Sequence, residues 1–116
     1  MKTLQDIALE LAALLEDGKG RDVTVLDVSE ISSWTSCFVI ATSASSTHWK
    51  SLYKLVKDYC GASGGAVEIY APQKKIPDGD DWVLIDLGGI VVHLMSAEAR
   101  GFYDLEKLWY NGKKLK

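Results

Sequence analysis

Trp82–Met95, WVLIDLGGIVVHLM, reads as two strands about a Gly-Gly turn. With Gly88 and Gly89 as a two-residue hairpin loop, Leu87 falls opposite Ile90, Ile85 opposite Val92 and Val83 opposite Leu94. That face is wholly aliphatic. Because side chains alternate along a strand, the other face pairs Asp86 with Val91, Leu84 with His93 and Trp82 with Met95. The six aliphatic residues are predicted to lie nearly fully buried beneath helices, each worth roughly 1.5–3 kcal/mol on burial. Asp86 and His93 are predicted to be more accessible, and a slip of one residue would exchange the two faces.

The segments around the hairpin suggest what covers it. Thr3 can cap a helix in which Leu4, Ile7, Ala8, Leu11, Leu14 and Leu15 recur at helical spacing, ending at Gly18. DVTVLDV (22–28) and CFVIATS (37–43) are β-branched runs separated by the polar SEISSWTS. SASSTH then offers N-caps for a second helix over about 47–60, with Trp49, Leu52, Tyr53, Val56 and Cys60 inward. AVEIYA (66–71) is predicted as a third strand, and PQKKIPDGDD as a polar loop before the hairpin. Ser96 can cap a last helix over about 97–110, with Phe102, Leu105, Leu108 and Trp109 inward and a lysine-rich tail behind it. The order α-β-β-α-β-β-β-α predicts an α/β (α+β) fold, a mixed sheet of about five strands with helices packed on it. Strand two, helix two and strand three would form a right-handed crossover.

Composition narrows the function classes. A chain of 116 residues with 47% hydrophobic and 25% charged residues is read as one globular domain, residues 1–116. The net charge of −3 gives no global drive toward nucleic acid, while leaving room for a local basic patch. Cys37 and Cys60 lack metal-site spacing and read as buried thiols of a reducing compartment. Acidic residues interrupt the apolar N-terminal pattern, and no run reaches the roughly 18 apolar residues of a membrane span. A cytoplasmic location is expected.

Three groups of residues allow a chemical reading. SASS before a helix could cradle a phosphate, yet it lacks the glycines and lysine of a P-loop, and serine-rich turns commonly cap helices. Asp27 and Asp86, with Asp80 and Asp81, could hold magnesium if they converged, although a strand-end aspartate more often bonds a turn. His48 and His93 are the only histidines, and no nucleophile elbow, H-x-x-x-H or C-x-x-C cluster accompanies them. No cofactor or metal is therefore expected. The mixed face of the hairpin has two further readings. It can be a docking surface, since Trp and Met are enriched in interfaces, or another element of the chain can cover Trp82 and Met95. The outer positions of the last helix, Arg100, Tyr103, Asp104, Glu106, Lys107 and Tyr110, mix aromatic rings with charge and favour docking.

VLDVSEISSWTSCFVIATSASSTHWKSL together with WVLIDLGGIVVHLMSAEARGFYDLEKLW closely resembles the iojap-like family of ribosomal silencing factors (RsfS) over about residues 4 to 110. The most specific part is the spaced set Trp82, Asp86, Gly88, His93, Arg100, Tyr103, Leu105, Glu106, Leu108 and Trp109. The resemblance implies a nucleotidyltransferase-like fold without that superfamily's catalytic equipment. It also implies a non-enzymatic factor that binds the large ribosomal subunit through the ribosomal protein of the L-fourteen family. That occupancy would sterically block small-subunit joining and repress translation, with homodimers forming off the ribosome. The partner-facing set expected on this basis is Trp82, Asp86, His93, Tyr103, Glu106, Leu108 and Trp109, with Trp109 also fitting a core position. Ser36, Thr47 and Gly89 depart from the family pattern, as does the absence of a Glu-Gly pair before Trp82. The competing reading is a small nucleotide-binding or nucleotidyl-transferring enzyme using Ser45, Ser46, Asp27 and Asp86.

Overall fold

The hairpin forms in the expected register. In a computed structural model describing residues 3–31, 33, 35–62, 67, 69, 74–75, 82–103 and 112–116, Trp82 pairs with Met95, Leu84 with His93 and Asp86 with Val91. The Leu87 N–H donates to the Ile90 carbonyl at 2.9 Å and closes the two-residue loop. Gly88 has φ 83°, a backbone state glycine adopts without a Cβ penalty and the one a type II′ turn requires at its first central position. The Asp86 carboxylate accepts from the Gly88 N–H at 2.8 Å, so the strand-end aspartate bonds its own turn.

In chain order the elements are α1 (Leu4–Asp17), β1 (Arg21–Asp27), β2 (Cys37–Thr42), α2 (Ser46–Ala62), β3 (Lys74–Lys75), β4 (Trp82–Asp86), β5 (Ile90–Met95), α3 (Ala97–Tyr103) and β6 (Lys113–Lys114). They build one mixed sheet in the order β3-β4-β5-β2-β1-β6. Each helix start follows from a cap. Thr3 and Asp6 form a reciprocal capping box, Ser45 Oγ accepts from the His48 N–H, and Ser96 Oγ accepts from the Ala99 N–H. The Gly18 N–H bonds the Leu14 carbonyl at the end of α1, and the left-handed residue that follows is Lys19, φ 72°.

One sequence expectation changes, and one falls outside the described residues. The parallel neighbour of β2 is β5; the expected crossover from β2 through the second helix ends on a strand at 66–71. The segment 66–71 lies mostly outside the described residues, although Val67 is buried in the core. Two lysine pairs read as loop and tail instead form short sheet edges, β3 on β4 and β6 on β1. Lysines at an edge discourage pairing with another chain.

The first face of the sheet holds Val83, Ile85, Leu87, Ile90, Val92 and Leu94, each 0–2% exposed as expected. Ile7, Ala8, Leu11 and Leu15 of α1 pack on it, with Trp49, Leu52 and Val56 of α2. Leu14, Tyr53 and Cys60, expected inward, are only half-buried. His48 ties the two covering helices together. Its Nδ1 accepts from the Ala44 N–H at 2.8 Å, and its Nε2 lies 2.9 Å from the Gly18 carbonyl behind α1. Its role is therefore structural.

Candidate functional site

The second face is a second, smaller core with one open margin. Val91, His93 and Met95 of β5, Phe38 and Ile40 of β2, and Leu26 of β1 are buried there with Ala99 of α3. Met95 is 0% exposed and His93 5%, which corrects the expectation that His93 is accessible. The reason is lateral position: β5 and β2 lie in the middle of the sheet, directly beneath α3, whereas β4 lies toward an edge. The β4 residues of this face, Trp82, Leu84 and Asp86, are half-exposed. The covered reading thus holds for β5, while the β4 residues stay partly open.

His93 has a defined chemical state. The Trp82 Nε1–H donates to His93 Nδ1 at 3.1 Å, and the Phe38 ring meets the imidazole edge-on at 4.9 Å. Accepting at Nδ1 places the proton of the neutral ring on Nε2, which is buried without a hydrogen-bond partner. Burial pushes the His93 pKa down to about 3, because a charged imidazolium would lose its hydration there. His93 therefore acts beneath the surface, where it holds the Trp82 indole. Leu84, between Trp82 and Asp86 on the same strand face, joins the accessible row, where period-2 alternation places it although the expected contact set lacks it.

Of the other expected contacts, Tyr103 ends α3, and Glu106, Leu108 and Trp109 lie outside the described residues, as do Asp80 and Asp81. Arg100 reaches back from α3 over the sheet. Its guanidinium donates to Thr24 Oγ1 at 2.9 Å and Thr42 Oγ1 at 3.0 Å, two buried hydroxyls on β1 and β2. Those two threonines were the sequence signal for this anchor.

The enzyme constellation is not assembled. Asp27 on β1 and Asp86 on β4 are separated by β2 and β5, three strand spacings or roughly 14 Å, and they face opposite sides of the sheet. Asp27 is occupied locally, accepting from the Ser29 hydroxyl at 2.6 Å, the Ser29 N–H and Gln5. The Ser29 bonds hold its carboxyl below the usual range. Both aspartates lie near the start of β2, while Ser45 and Ser46 follow its far end. Among the described residues, no three His, Cys, Asp or Glu side chains group to hold a metal. Cys37 is buried and Cys60 half-buried; burial pushes the Cys37 thiol up to about 11 and raises that of Cys60.

Of the departures from the family pattern, Ser36, Thr47 and Gly89 are described, and the stretch before Trp82 lies outside the described residues. The Gly89 carbonyl accepts from the Ser36 N–H at 2.8 Å and the Cys37 N–H at 3.1 Å, so Ser36 and Gly89 meet through backbone bonds. Thr47 is exposed on α2. No described helix is long and apolar enough to cross a membrane.

Comparison with known proteins agrees with this geometry. A ribosomal silencing factor from Treponema pallidum (strain Nichols) is 37% identical over 102 residues, covering 88% of each chain. A mouse protein named mitochondrial assembly of ribosomal large subunit protein 1 is 37% identical over 106 residues, 85% of this chain and 43% of its own. A crystal structure from Chromobacterium violaceum superposes with a TM-score of 0.77 at 31% identity, covering 92% of this chain and 87% of the other. Residues 1–116 match the family described as "ribosomal silencing factor during starvation". The chain belongs to the RsfS family of ribosomal silencing factors.

Proposed function

We propose that this protein binds the large ribosomal subunit, through the ribosomal protein of the L-fourteen family, and sterically prevents small-subunit joining. It represses translation by occupancy, without catalysis, in the cytoplasm where subunits meet. The observation that carries this reading is the half-exposed row Trp82–Leu84–Asp86 beside α3, with the Trp82 indole fixed by His93. A rigid indole with an adjacent apolar residue and a carboxylate suits a partner surface carrying apolar and basic groups. Family membership and the large-subunit wording in the mouse relative's name support the class of partner. Tyr103, Glu106, Leu108 and Trp109, on or following α3, extend the contact set; His93 supports it from beneath and makes no contact itself.

The test is binding of folded variants to isolated large subunits, followed by subunit joining on a sucrose gradient. Trp82→Ala should cost at least about 2 kcal/mol, or roughly 30-fold in affinity. If Trp82→Ala and Glu106→Ala both bind like wild type and still block joining, the proposed face is wrong. Self-association off the ribosome would use the same row, now without Met95, which is buried. Light scattering at about 100 μM should then detect a dimer that Trp82→Ala weakens, since even a dissociation constant near 10 μM leaves it populated. A strict monomer at that concentration removes the dimer from the reading.

A further inference from the structure

The two helices that roof the first face carry opposite charges. α1 holds Asp6, Glu10, Glu16 and Asp17 and no cation, whereas α2 holds Lys50, Lys54 and Lys57 against the single Asp58. Helical geometry orients the lysines. α1 lies over β1 and β2 and α2 over β5, and the Tyr59 hydroxyl of α2 donates to the Glu10 carboxylate of α1 at 3.0 Å, which marks the flank turned toward α1. At about 3.6 residues per turn, Lys50 and Lys57 stand roughly 180° and 160° around the helix from Tyr59. They therefore occupy the flank turned away from α1, above the β4 side of the sheet, with Lys54 beside them on the outer surface. The three lysines are exposed and span about 10 Å along the helix axis.

Nothing within α2 accounts for this stripe. A solvated helix commonly sets a carboxylate four residues before a lysine, but Ser46, Lys50 and Tyr53 occupy those places. Lys50 and Lys54 are instead like charges at that spacing, which disfavours the helix. Lys54 pairs with Asp58 at 3.6 Å, in the less favourable order and with both side chains largely exposed. The Lys50 ammonium lies 5.8 Å from the Trp49 ring centroid, a contact that leaves its charge uncancelled, and Lys57 has no ion-pair partner among the described residues. The margin beneath the stripe is shared, since Trp82, Leu84 and Asp86 face the other side of the same β4. A partner that wraps this margin meets the row and the lysines together.

We propose that the lysine flank of α2 binds the phosphodiester backbone of RNA at the rim of the protein contact made by the row on β4. This contact rests on the large-subunit binding proposed above and adds a sequence-independent chemistry to it. Ammonium groups are compact point charges that suit a run of phosphates. Carboxylates of a protein partner favour the planar fork of arginine, which α2 lacks.

Binding of the intact protein to isolated large subunits is measured across a salt series. Lys50→Glu with Lys57→Glu, both at exposed positions, should weaken binding about fivefold or more at low salt and lower the slope of log affinity against log salt by about 1.4. Lys113→Glu with Lys114→Glu, on β6 at the opposite sheet edge, changes the net charge equally and should lose far less affinity. A photoreactive diazirine amino acid in place of Lys57 should crosslink to large-subunit RNA. Equal losses in the two double variants would reduce the effect to net charge and overturn the proposal. Unchanged binding by Lys50→Glu with Lys57→Glu, or a crosslink to protein alone, would overturn it too. Trp82→Ala separates the flank from the row. If Trp82→Ala binds weakly while the α2 double variant matches wild type, the flank fails and the row stands. If Trp82→Ala matches wild type while the α2 double variant is weak, the row fails and the flank stands. A wild type that does not bind large subunits overturns both.

Discussion

The two faces of the central sheet are made by the same strands, alternate residue by alternate residue, yet they solve different problems. The first face is aliphatic, roofed by two helices of 14 and 17 residues, and closed along β4, β5 and β2 alike. The second face has a shorter roof, with seven described residues in α3, and its burial is graded: closed over β2 and β5, half-open over β4. A fully roofed face can contribute only stability. A partly roofed one buries enough to hold its shape and leaves a margin open, and several polar side chains of the sheet have defined tasks there. Asp86 stabilises a turn, His93 fixes an indole, and Thr24 and Thr42 anchor an arginine.

The comparison breaks most visibly in neighbouring residues that point to opposite faces. Ile85 is fully buried against the two long helices, so Ile85→Ala should destabilise by about 2–5 kcal/mol in a denaturant titration. If Ile85→Ala costs less than about 1 kcal/mol, the first face is not the anchor of the fold.

Titration separates the faces next. The His93 pKa of about 3 in the folded protein lies below its unfolded value near 6.5, so below pH 6.5 the unfolded chain takes up a proton that the native chain refuses. Stability is therefore fully present above pH 6.5 and lost as pH falls toward 3, by up to about tenfold in the folded-to-unfolded ratio per pH unit. Denaturation midpoints measured at pH 7, 6 and 5 should fall, and the part of that fall due to His93 should vanish in His93→Gln. An identical pH profile in the variant would mean that the imidazole is hydrated.

Two smaller effects sharpen the picture. Leu84→Ala, adjacent to Ile85 but on the half-open margin, should cost only about 1 kcal/mol, since less apolar area leaves water there. In the turn, Gly88→Ala should cost about 1 kcal/mol, because alanine resists φ 83°. Gly89→Ala should cost less: its new methyl would meet the Leu4 Cδ1 tip at 2.6 Å, the far end of a side chain that can move aside. Equal losses at the two glycines, read by thermal unfolding, would argue against backbone strain as the cause.

How much of this was legible beforehand follows from the range of the forces involved. Alternation with a two-residue turn set every pair of the hairpin, and the serines and threonine before the helices set their first hydrogen bonds. The family resemblance was likewise present in residues that keep their spacing whatever surrounds them. The candidate site was legible only in part, because alternation puts Trp82, Asp86 and His93 on one face, and of the three His93 is buried.

Alternation, turn geometry and capping are decided within a few residues by backbone sterics and local hydrogen bonds, so the sequence alone determines them. Tertiary structure decided that β5 lies beside β2 and parallel to it, which puts His93 and Met95 in the centre of the sheet and Trp82 toward its margin. It also decided that Asp27 and Asp86 stand on opposite faces with two strands between them, and that Arg100 crosses from α3 to Thr24, 76 residues away in the chain. Choosing a strand neighbour or a roof depends on the summed burial of segments far apart in sequence. That sum exists only once the whole core closes.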